Sequence, residues 1–427
     1  MEYTETGVGR ELGERARQFM DEVVLPVERE HSGDGAVSEA VIEELREEAR
    51  ARGVYCPQID EEHGGMGYDF RDVLPLFEQA GRSLLGGPAM RVAAPDEGNM
   101  HTIELIGTDT QKERWLEPLV EGEITSAFSM TEPKPGAGSD PKMMQTTAQK
   151  DGDEWVIDGH KWWTTMGSEA DVFIVMAQTD MDAHPYSGTS LFLVPANANG
   201  VEIVRDIPHL GPSIVHSSHA EITYDRVRIP EDNLLGTENE GFTHAQERLG
   251  PARLTHCMRY SGMAQRSLDV AKAYLSEREA FGGPIAEKQA PRFAIAEAET
   301  DLYAAGTMIR DAATKIARGE SARNEVSACK VFTANVTQDA IDTALQLCGG
   351  SGMSKDLPIA DFYASVRCFR IVDGADEVHK RTLARAAFED VDTAEIETLS
   401  QFENQRAQNR IVHRTSPVFH DAIRPTR

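Results

Sequence analysis

The sequence predicts a multidomain α+β fold in which a helical domain, a β-rich domain and a second helical domain follow one another. Residues from about 11 to 122 place apolar side chains three or four positions apart, as amphipathic helices do. Residues from about 126 to 235 form short runs of β-branched and aromatic residues between turns, and long helical patterns return after Gly241. At 427 residues, the chain is also longer than one core usually supports.

The first domain is predicted as an N-terminal α-helical domain over residues 1–123. In the segment that starts at Ser38, alanine, valine, isoleucine and leucine recur at helical spacing among glutamates and arginines. Ser38 is a candidate N-cap, because serine side chains accept hydrogen bonds from the first free backbone N–H groups of a helix. The segment is therefore predicted to be an amphipathic helix.

The middle domain, residues 124–238, is predicted as an antiparallel β-barrel. Its strand candidates include residues 154–157, 172–176, 190–194 and 221–224, and the turn candidates are Asp151-Gly152 and Asp158-Gly159. Strands of this length and spacing also suit a small sandwich, so the pattern alone leaves both arrangements open.

The third domain, residues 239–389, is predicted as a C-terminal four-helix bundle. Helical spacing continues through residues 253–278, 289–318 and 324–347, which are long enough to pack side by side. Residues 390–427 are polar and weakly patterned, and we expect them to form a C-terminal tail that docks on a neighbour or frays.

The charge of the chain is strongly negative, with 71 acidic and 43 basic residues and a formal net charge of −28. This charge would repel the phosphates of nucleic acids and anionic membrane surfaces, so no nucleic-acid partner is expected. Of the basic residues 11 are lysine and 32 are arginine. A carboxylate-rich surface with few lysines suits a salt-rich cytoplasm and favours a halophilic source, although an acidic protein from a mesophile would have a similar composition.

The cysteines give no sign of a disulfide framework or a zinc site, because they are odd in number and widely separated. They are Cys56, Cys257, Cys329, Cys348 and Cys368. The N-terminus has no basic stretch followed by an apolar run, and no later segment has the apolar length of a membrane span. We therefore expect a cytoplasmic protein that is not inserted in a membrane and holds no metal.

Two segments of the middle domain carry a recognisable signature. Residues 126–140 read SAFSMTEPKPGAGSD, a run of hydroxyl and small residues that allows close approach of a polar cofactor. The run resembles the T-E-P-G-A-G-S-D signature of the acyl-CoA dehydrogenase family, with Lys134 and Pro135 as two extra residues. Residues 158–167, DGHKWWTTMG, resemble that family's N-G-x-K-x-W-I-T-N-G.

The resemblance implies that the middle domain binds FAD. In the family the tryptophan of the second segment packs against the flavin, and the threonine hydrogen-bonds its ring edge. Trp162 is expected instead to fill the core of the β domain. The implied flavin contacts are Phe128, Met130, Thr131, Ser139, Trp163 and Thr165, and Ser139 is also an implied substrate contact.

Two segments of the C-terminal domain resemble stretches that hold the FAD pyrophosphate and adenosine of a neighbouring subunit. They are residues 278–289, similar to R-x-x-F-G…Q, and residues 346–352, similar to Q-x-x-G-G-x-G. Neither glycine cluster follows a strand in a βαβ unit, which disfavours a Rossmann site. Ala280 replaces a hydroxyl residue that is frequent in the family. The implied cofactor contacts are Arg278, Phe281, Gln289, Gln346 and Gly350, and the implied assembly is a homodimer or homotetramer.

The segment 370–381, RIVDGADEVHKR, resembles the stretch that carries the family's catalytic base, and Asp373 stands at the base position. The sequence of this segment resembles that of a branch of the family with an aspartate base, which includes eukaryotic members fused to a kinase-like domain. The residues alone also suit a helix N-cap at Asp373, with a carboxylate in the first turn. By the same resemblance Arg253 is a substrate contact, although an ordinary ion pair on a helix would explain it equally. His256 is expected to be structural.

The resemblance extends over roughly residues 15–387 and implies an enzyme that desaturates a CoA thioester between its α and β carbons. Asp373 would abstract the α-proton, the β-hydride would pass to the flavin, and an electron-transfer flavoprotein would receive the electrons. An oxidase that uses oxygen would carry nearly the same motifs. A flavin-containing, nucleic-acid-binding relative is the alternative from another class, and the net charge of −28 disfavours it.

Overall fold

The computed structural model describes residues 6–138, 140–184, 186–389 and 391. Helices precede and follow a central sheet, which confirms the three-part order expected from the sequence. The chain divides into two compact units, Met1–Lys380 and Arg381–Arg427, and the candidate site lies in the first. Apart from Val391, the predicted tail lies outside the described residues, as does Ser139.

The N-terminal part is helical, with two π-helical turns at Met20–Val24 and Lys112–Leu116 and a 3₁₀ turn at Glu61–His63. Its helices are α1 (Gly7–Phe19), α2 (Leu25–Glu30), α3 (Glu39–Ala51), α4 (Phe70–Ala80), α5 (Gly86–Ala89), α6 (Asp96–Ile106), α7 (Asp109–Gln111) and α8 (Glu117–Glu121).

Helix α3 is the one predicted from the segment at Ser38. Ile42, Leu45 and Ala49 of α3 are buried, which is the predicted apolar face. Ser38 occupies the N-cap position, but its side chain makes no capping hydrogen bond. Burial of the apolar face thus positions this helix, without help from the predicted cap.

The middle part is an eight-stranded sheet with the strand order β6-β7-β3-β2-β4-β5-β8, and β1 pairs in parallel with β4. Short 3₁₀ turns lie at Pro141–Met143 and Glu231–Asn233. The strands are β1 (Ser126–Ser129), β2 (Thr147–Asp151), β3 (Glu154–Thr165), β4 (Val172–Gln178), β5 (Thr189–Pro195), β6 (Val201–Asp206), β7 (His219–Pro230) and β8 (Leu234–Leu235).

The predicted closed antiparallel barrel is wrong. Strands β6 and β8 end the order of hydrogen-bonded neighbours, and no pairing among the described residues joins them. The pairings of β1 and β2 with β4 are parallel, so the sheet is mixed. Residues 202–206 of β6 are exposed, so β6 is an edge strand that ends the sheet where a barrel would continue.

The predicted turn at Asp158-Gly159 is also wrong, because these residues lie inside β3. The pairing with β7 shifts register between Ile157 and Gly159, as at a β-bulge. A Cβ on Gly159 would lie 2.3 Å from Thr146 Oγ1. The glycine therefore permits a close approach between strands. The other predicted turn, at Asp151-Gly152, connects β2 to β3, and Gly152 adopts a φ of 68° there.

The C-terminal part is helical as predicted, and α11 packs against both α9 and α10. Helix α9 begins twelve residues before the predicted start and continues through Pro251. Short 3₁₀ turns lie at Ile285–Glu287 and Arg367–Arg370. The elements are α9 (Gly241–Glu277), β9 (Glu279–Ala280), β10 (Gly283–Pro284), α10 (Gln289–Ala317), α11 (Arg323–Cys348), α12 (Gly350–Met353), α13 (Ile359–Val366) and α14 (Asp376–Glu389).

The sheet contributes to two hydrophobic cores. Val172 and Ile174 of β4 belong to the core that includes the helices, whereas Phe173 and Val175 point to the opposite face and pack with Trp155. This accounts for the almost fully apolar sequence of β4, since both of its faces are buried. No helix among the described residues has the length and apolar character of a bilayer-spanning segment.

Candidate active site

Asp373 lies in the short loop between the 3₁₀ turn Arg367–Arg370 and helix α14, on a strained backbone. Its φ is 56°, in the left-handed region that non-glycine residues rarely adopt, and Gly374 follows with a φ of 92°. The backbone N–H of His379 donates to the carbonyl of Ala375, so the first helical hydrogen bond starts at Ala375. The N-cap interpretation of Asp373 is therefore wrong, and the side chain is free for another role.

The Asp373 carboxylate is largely buried but incompletely bonded. Its side chain is 17% exposed, and Oδ2 accepts no hydrogen bond from the part of the chain that the structure describes. Nδ1 of His256 lies 3.4 Å from this oxygen. Arg253 Nε and the Nε2 atom of His379 contact the main-chain carbonyl of Asp373 at 2.9 and 3.1 Å. The backbone is thus held in place, while one carboxylate oxygen is buried without a hydrogen bond from the described residues.

The charges around Asp373 favour its ionised form. Burial favours the neutral acid, but the positive charges of His256, Arg248 and Arg253 outweigh it and hold the pKa of Asp373 below its usual value. Burial lowers the pKa of His256, so at neutral pH the positive charges that act on Asp373 come first from Arg248 and Arg253 and then from Lys330. Asp373 is consequently a carboxylate at neutral pH, the form required to accept a proton.

Arg248 joins three parts of the fold beside this pocket. Its Nε donates to Asn99 Oδ1 of α6 at 3.1 Å, and its guanidinium lies 4.5 Å from the ring centroid of Phe128 in β1. The residue itself belongs to α9 and is 7% exposed. Phe128, an implied flavin contact, therefore packs against a buried cation that faces Asp373.

A buried ion pair shapes the loop after β1. Nζ of Lys161 donates to Glu132 Oε1 and to the Met130 carbonyl, both at 2.9 Å. Glu132 also accepts the backbone N–H groups of residues 137, 145 and 146. The Thr131 carbonyl accepts the N–H of Trp162 at 2.9 Å. The main chain at Met130 and Thr131 is thereby fixed against strand β3.

At the end of β3, Trp163 and Thr165 have a common neighbour. Trp163 is 43% exposed and has a φ of 55°, at an irregularity in the pairing of β3 with β7. Its ring lies 5.4 Å from that of His219, whose Nδ1 is 3.1 Å from Thr165 Oγ1. Trp162, expected in the sheet core, is only half-buried, and the core tryptophan is Trp155.

The implied adenosine and pyrophosphate contacts lie on the C-terminal helices and the hairpin between α9 and α10. Phe281 is 92% exposed and has a φ of 52°. A Cβ added to Gly350, or to Gly349 with its φ of 57°, would have nothing within 4 Å of it, so the backbone is open there. Arg278 directly follows α9, Gln289 begins α10, Gln346 lies in the last turn of α11 and Gly350 begins α12.

Neither disulfides nor a metal centre occur in the described part of the chain. The cysteines are free, and four of the five are buried. No group of three or more histidine, cysteine, aspartate or glutamate side chains among the described residues could hold a metal ion.

Comparison with known proteins gives the same three-part division. The acyl-CoA dehydrogenase N-terminal, middle and C-terminal domain models match residues 8–123, 127–227 and 239–388. "Probable acyl-CoA dehydrogenase FadE2" of Mycobacterium tuberculosis is 41% identical over 351 residues, which cover 81% of this chain and 85% of that protein. The chain belongs to the acyl-CoA dehydrogenase family. It is thus an oxidoreductase.

Other acyl-CoA dehydrogenases show how far the likeness extends. "Acyl-CoA dehydrogenase family member 11" of Gallus gallus is 35% identical over 395 residues, which cover 88% of this chain but only 50% of that relative. Butyryl-CoA dehydrogenase from Megasphaera elsdenii superimposes with a TM-score of 0.81 at 27% identity, covering 91% of this chain and all of the other. An acyl-CoA dehydrogenase from Geobacillus kaustophilus superimposes with a TM-score of 0.79 at 29% identity, covering 91% of this chain and 99% of the other.

Sequence reasoning gave no role at the site to three residues that lie beside the implied contacts. His256, expected to be structural, lies beside the Asp373 carboxylate; Arg248 faces the same carboxylate; His219 contacts two implied flavin contacts. For the first two, spacing on one helix was an available signal, because His256 lies three residues after Arg253 and eight residues after Arg248, and both spacings place residues on one helix face. No local signal marked His219, whose partner Thr165 is 54 residues away.

Proposed function

We propose that the protein catalyses the FAD-dependent α,β-dehydrogenation of an acyl-CoA thioester, with Asp373 as the base. The observation that carries this proposal is the buried Asp373 carboxylate, which is kept ionised by nearby cations and has an oxygen without a hydrogen-bond partner among the described residues. A buried acceptor left unbonded costs free energy, and such costs are typical of binding and catalytic sites.

FAD is the cofactor that the family supports, and the side chains at the end of β3 fit it. Trp163 offers an exposed aromatic face to the flavin. Thr165 offers a hydroxyl that also contacts His219. The main chain of Met130 and Thr131 is held against the same strand. When bound there, FAD would supply the acceptor for the hydride that leaves the β carbon.

The chain's own residues would act on the α carbon. Asp373 would accept the α-proton, which the neighbouring thioester makes acidic, and would become a neutral acid. Arg253 and His379 would keep the carboxylate in place through their contacts with the Asp373 main chain. Substrate binding would exclude water from the pocket and raise the basicity of the carboxylate, since desolvation favours its neutral form.

We also propose that each FAD contacts two chains. Arg278, Phe281, Gln289, Gln346 and Gly350 of one subunit would hold its nucleotide part, while the middle domain of the other would hold its flavin. Exposed apolar residues on the hairpin between α9 and α10 and on the C-terminal helices support this, because pairing would remove them from water. These residues are Phe281, Phe293, Tyr303 and Met353, which are 58–92% exposed.

The electron acceptor is proposed to be an electron-transfer flavoprotein. Ser139, outside the described residues, is proposed to contact both FAD and substrate, and Arg253 to contact the substrate. The half-buried position of Arg253, whose Nε donates to the main-chain carbonyl of Asp373, supports its assignment.

The function is tested with the purified protein, which should be yellow and contain non-covalent FAD. Under anaerobic conditions, straight and branched CoA thioesters are added one at a time while flavin absorbance is recorded. At least one should bleach the flavin and yield an α,β-unsaturated product. Bleaching by dithionite but by none of the thioesters would contradict the proposal. Rapid reaction of the reduced protein with air would identify an oxidase.

A further inference from the structure

We propose that His219 is a positioning residue for the flavin, which orients the Thr165 hydroxyl and supports the Trp163 ring. This rests on the proposed function, because it takes Thr165 and Trp163 as the flavin contacts. It adds a residue that the motif comparison did not select and that lies on a different strand.

The geometry makes His219 the support of both contacts. His219 begins β7, Thr165 ends β3, and the two are paired residues of the sheet. Nδ1 of His219 lies 3.1 Å from Thr165 Oγ1, and the imidazole ring lies 5.4 Å from the Trp163 ring. One side chain therefore reaches both residues on the face where the flavin would lie.

The hydroxyl chemistry indicates what this contact does. A threonine hydroxyl has one hydrogen and can also accept hydrogen bonds. If Thr165 is to donate to an acceptor nitrogen at the edge of oxidised flavin, its bond with His219 must be donated by Nδ1–H. His219 then fixes the rotation of the hydroxyl and aims its hydrogen at the flavin. Without His219 the hydroxyl can rotate and donate elsewhere.

The groups behind His219 hold it in place. The His209 ring lies 4.4 Å from the His219 ring, and His209 Nδ1 is 3.0 Å from the Ile207 carbonyl, which can only accept. His209 Nε2 lies 3.3 Å from the Ser217 hydroxyl. Burial and the neighbouring His209 lower the pKa of His219 to about 4, although the negative charge of Asp206 acts in the opposite direction. His219 is thus neutral at physiological pH, and its contact with Thr165 does not change with small pH changes.

The test compares four variants of the FAD-loaded protein: Thr165→Val, His219→Phe, the double variant, and His219→Asn. Asn can place an amide donor near the position of Nδ1, whereas Phe keeps only the ring. His160→Phe is the matched control, since His160 is an exposed histidine on β3 that pairs with Glu221. The readout is the midpoint potential of bound FAD, measured by dye equilibration, with FAD content and melting temperature alongside.

Thr165→Val and His219→Phe should shift the potential in the same direction, each by roughly a tenfold change in the ratio of reduced to oxidised flavin, or about 30 mV. The double variant should shift no further, while His219→Asn and the control should stay near wild type. A shift in Thr165→Val alone would overturn the role of His219 and leave the proposed function intact. No shift in either would overturn the flavin placement as well. If His219→Phe loses FAD, a wild-type potential in His219→Asn supports the role, and a shifted one overturns it.

Discussion

Glu132 and Asp373 are both buried carboxylates beside cations, and they differ in how completely they are bonded. Glu132 is contacted by Lys161 and by three backbone N–H groups, so both of its oxygens are occupied. Asp373 Oδ2 has no hydrogen-bond donor among the described residues, and its backbone is in the left-handed region. The first arrangement stabilises a loop, and the second keeps a charge available.

The difference in hydrogen bonding distinguishes the two carboxylates more clearly than their pKa values do. In both residues burial favours the neutral acid, and neighbouring positive charges nevertheless hold the pKa below its usual value. Both are therefore ionised at neutral pH. The oxygen without a hydrogen bond and the strained backbone are the features of Asp373 that support its proposed role as the base.

The largest expected effect on stability concerns the Glu132 pair. Burial lowers the pKa of Lys161 to about 8 despite its attraction to Glu132, so the pair is ionic at neutral pH. Replacing one partner, as in Glu132→Gln, leaves a buried lysine charge unpaired and should lower the free energy of unfolding by about 3–5 kcal/mol. Urea titration of wild type and Glu132→Gln measures this loss in the free energy of unfolding.

Asp373→Asn is the matched comparison for that titration, because it also replaces a buried carboxylate by its amide. It should cost clearly less, since Oδ2 has no hydrogen bond to lose within the described chain. Equal losses in the two variants would show that the bonding difference carries no structural information.

A smaller effect should appear with pH at His379, which contacts the main chain of Asp373. Burial and the nearby Arg253 lower the pKa of His379 to about 4 from its usual 6.5. Unfolded chains bind a proton at His379 below pH 6.5, whereas the folded protein binds it only near pH 4. The unfolding free energy should therefore fall as pH drops through this window, by at most about 1.4 kcal/mol per pH unit for this proton. Denaturation at several pH values should show a shallower fall in His379→Gln than in wild type, and equal falls in the two proteins would contradict this prediction.

The smallest expected effect is that of salt on stability, which distinguishes the surface carboxylates from the two buried ones. With a net charge of −28, the folded protein should gain stability as salt screens its surface carboxylates. Buried pairs are screened much less, so wild type and Glu132→Gln should show the same rise in melting temperature between low and molar KCl. A flat wild-type curve would remove the support for a halophilic source, and a rise confined to one protein would show that salt acts on the Glu132 pair.

Helices and strands were largely predictable because apolar periodicity reports directly on local burial. Helices α10 and α11 begin and end within one residue of the predicted bounds. The openness of the sheet was not predictable in this way, since closure depends on whether β6 and β8 pair, which local patterns do not specify. Gly159 was misread because a turn glycine and a close-approach glycine look alike in sequence.

The candidate site also contains residues that the sequence could identify and residues that it could not. Motif resemblance selected Asp373, Trp163 and Thr165, whose neighbours in sequence carry the signatures. The residues that support them, such as His219 and His256, reach them only through folding, across separations of 54 and 117 residues. The same dependence on folding decided against the helix cap at Asp373, since the start of α14 is visible only in the backbone hydrogen bonds.

Flavin reduction by an acyl-CoA in the Asp373→Asn variant tests the central claim most directly. A stopped-flow measurement under anaerobic conditions compares wild type, Asp373→Asn and the control Asp342→Asn, an exposed aspartate on α11. The rate should fall by about 10²–10⁴ in Asp373→Asn, the usual contribution of a general base, and stay at the wild-type value in the control. Reduction by dithionite should be equal in all three. A wild-type rate with acyl-CoA in Asp373→Asn would contradict the assignment of Asp373 as the base.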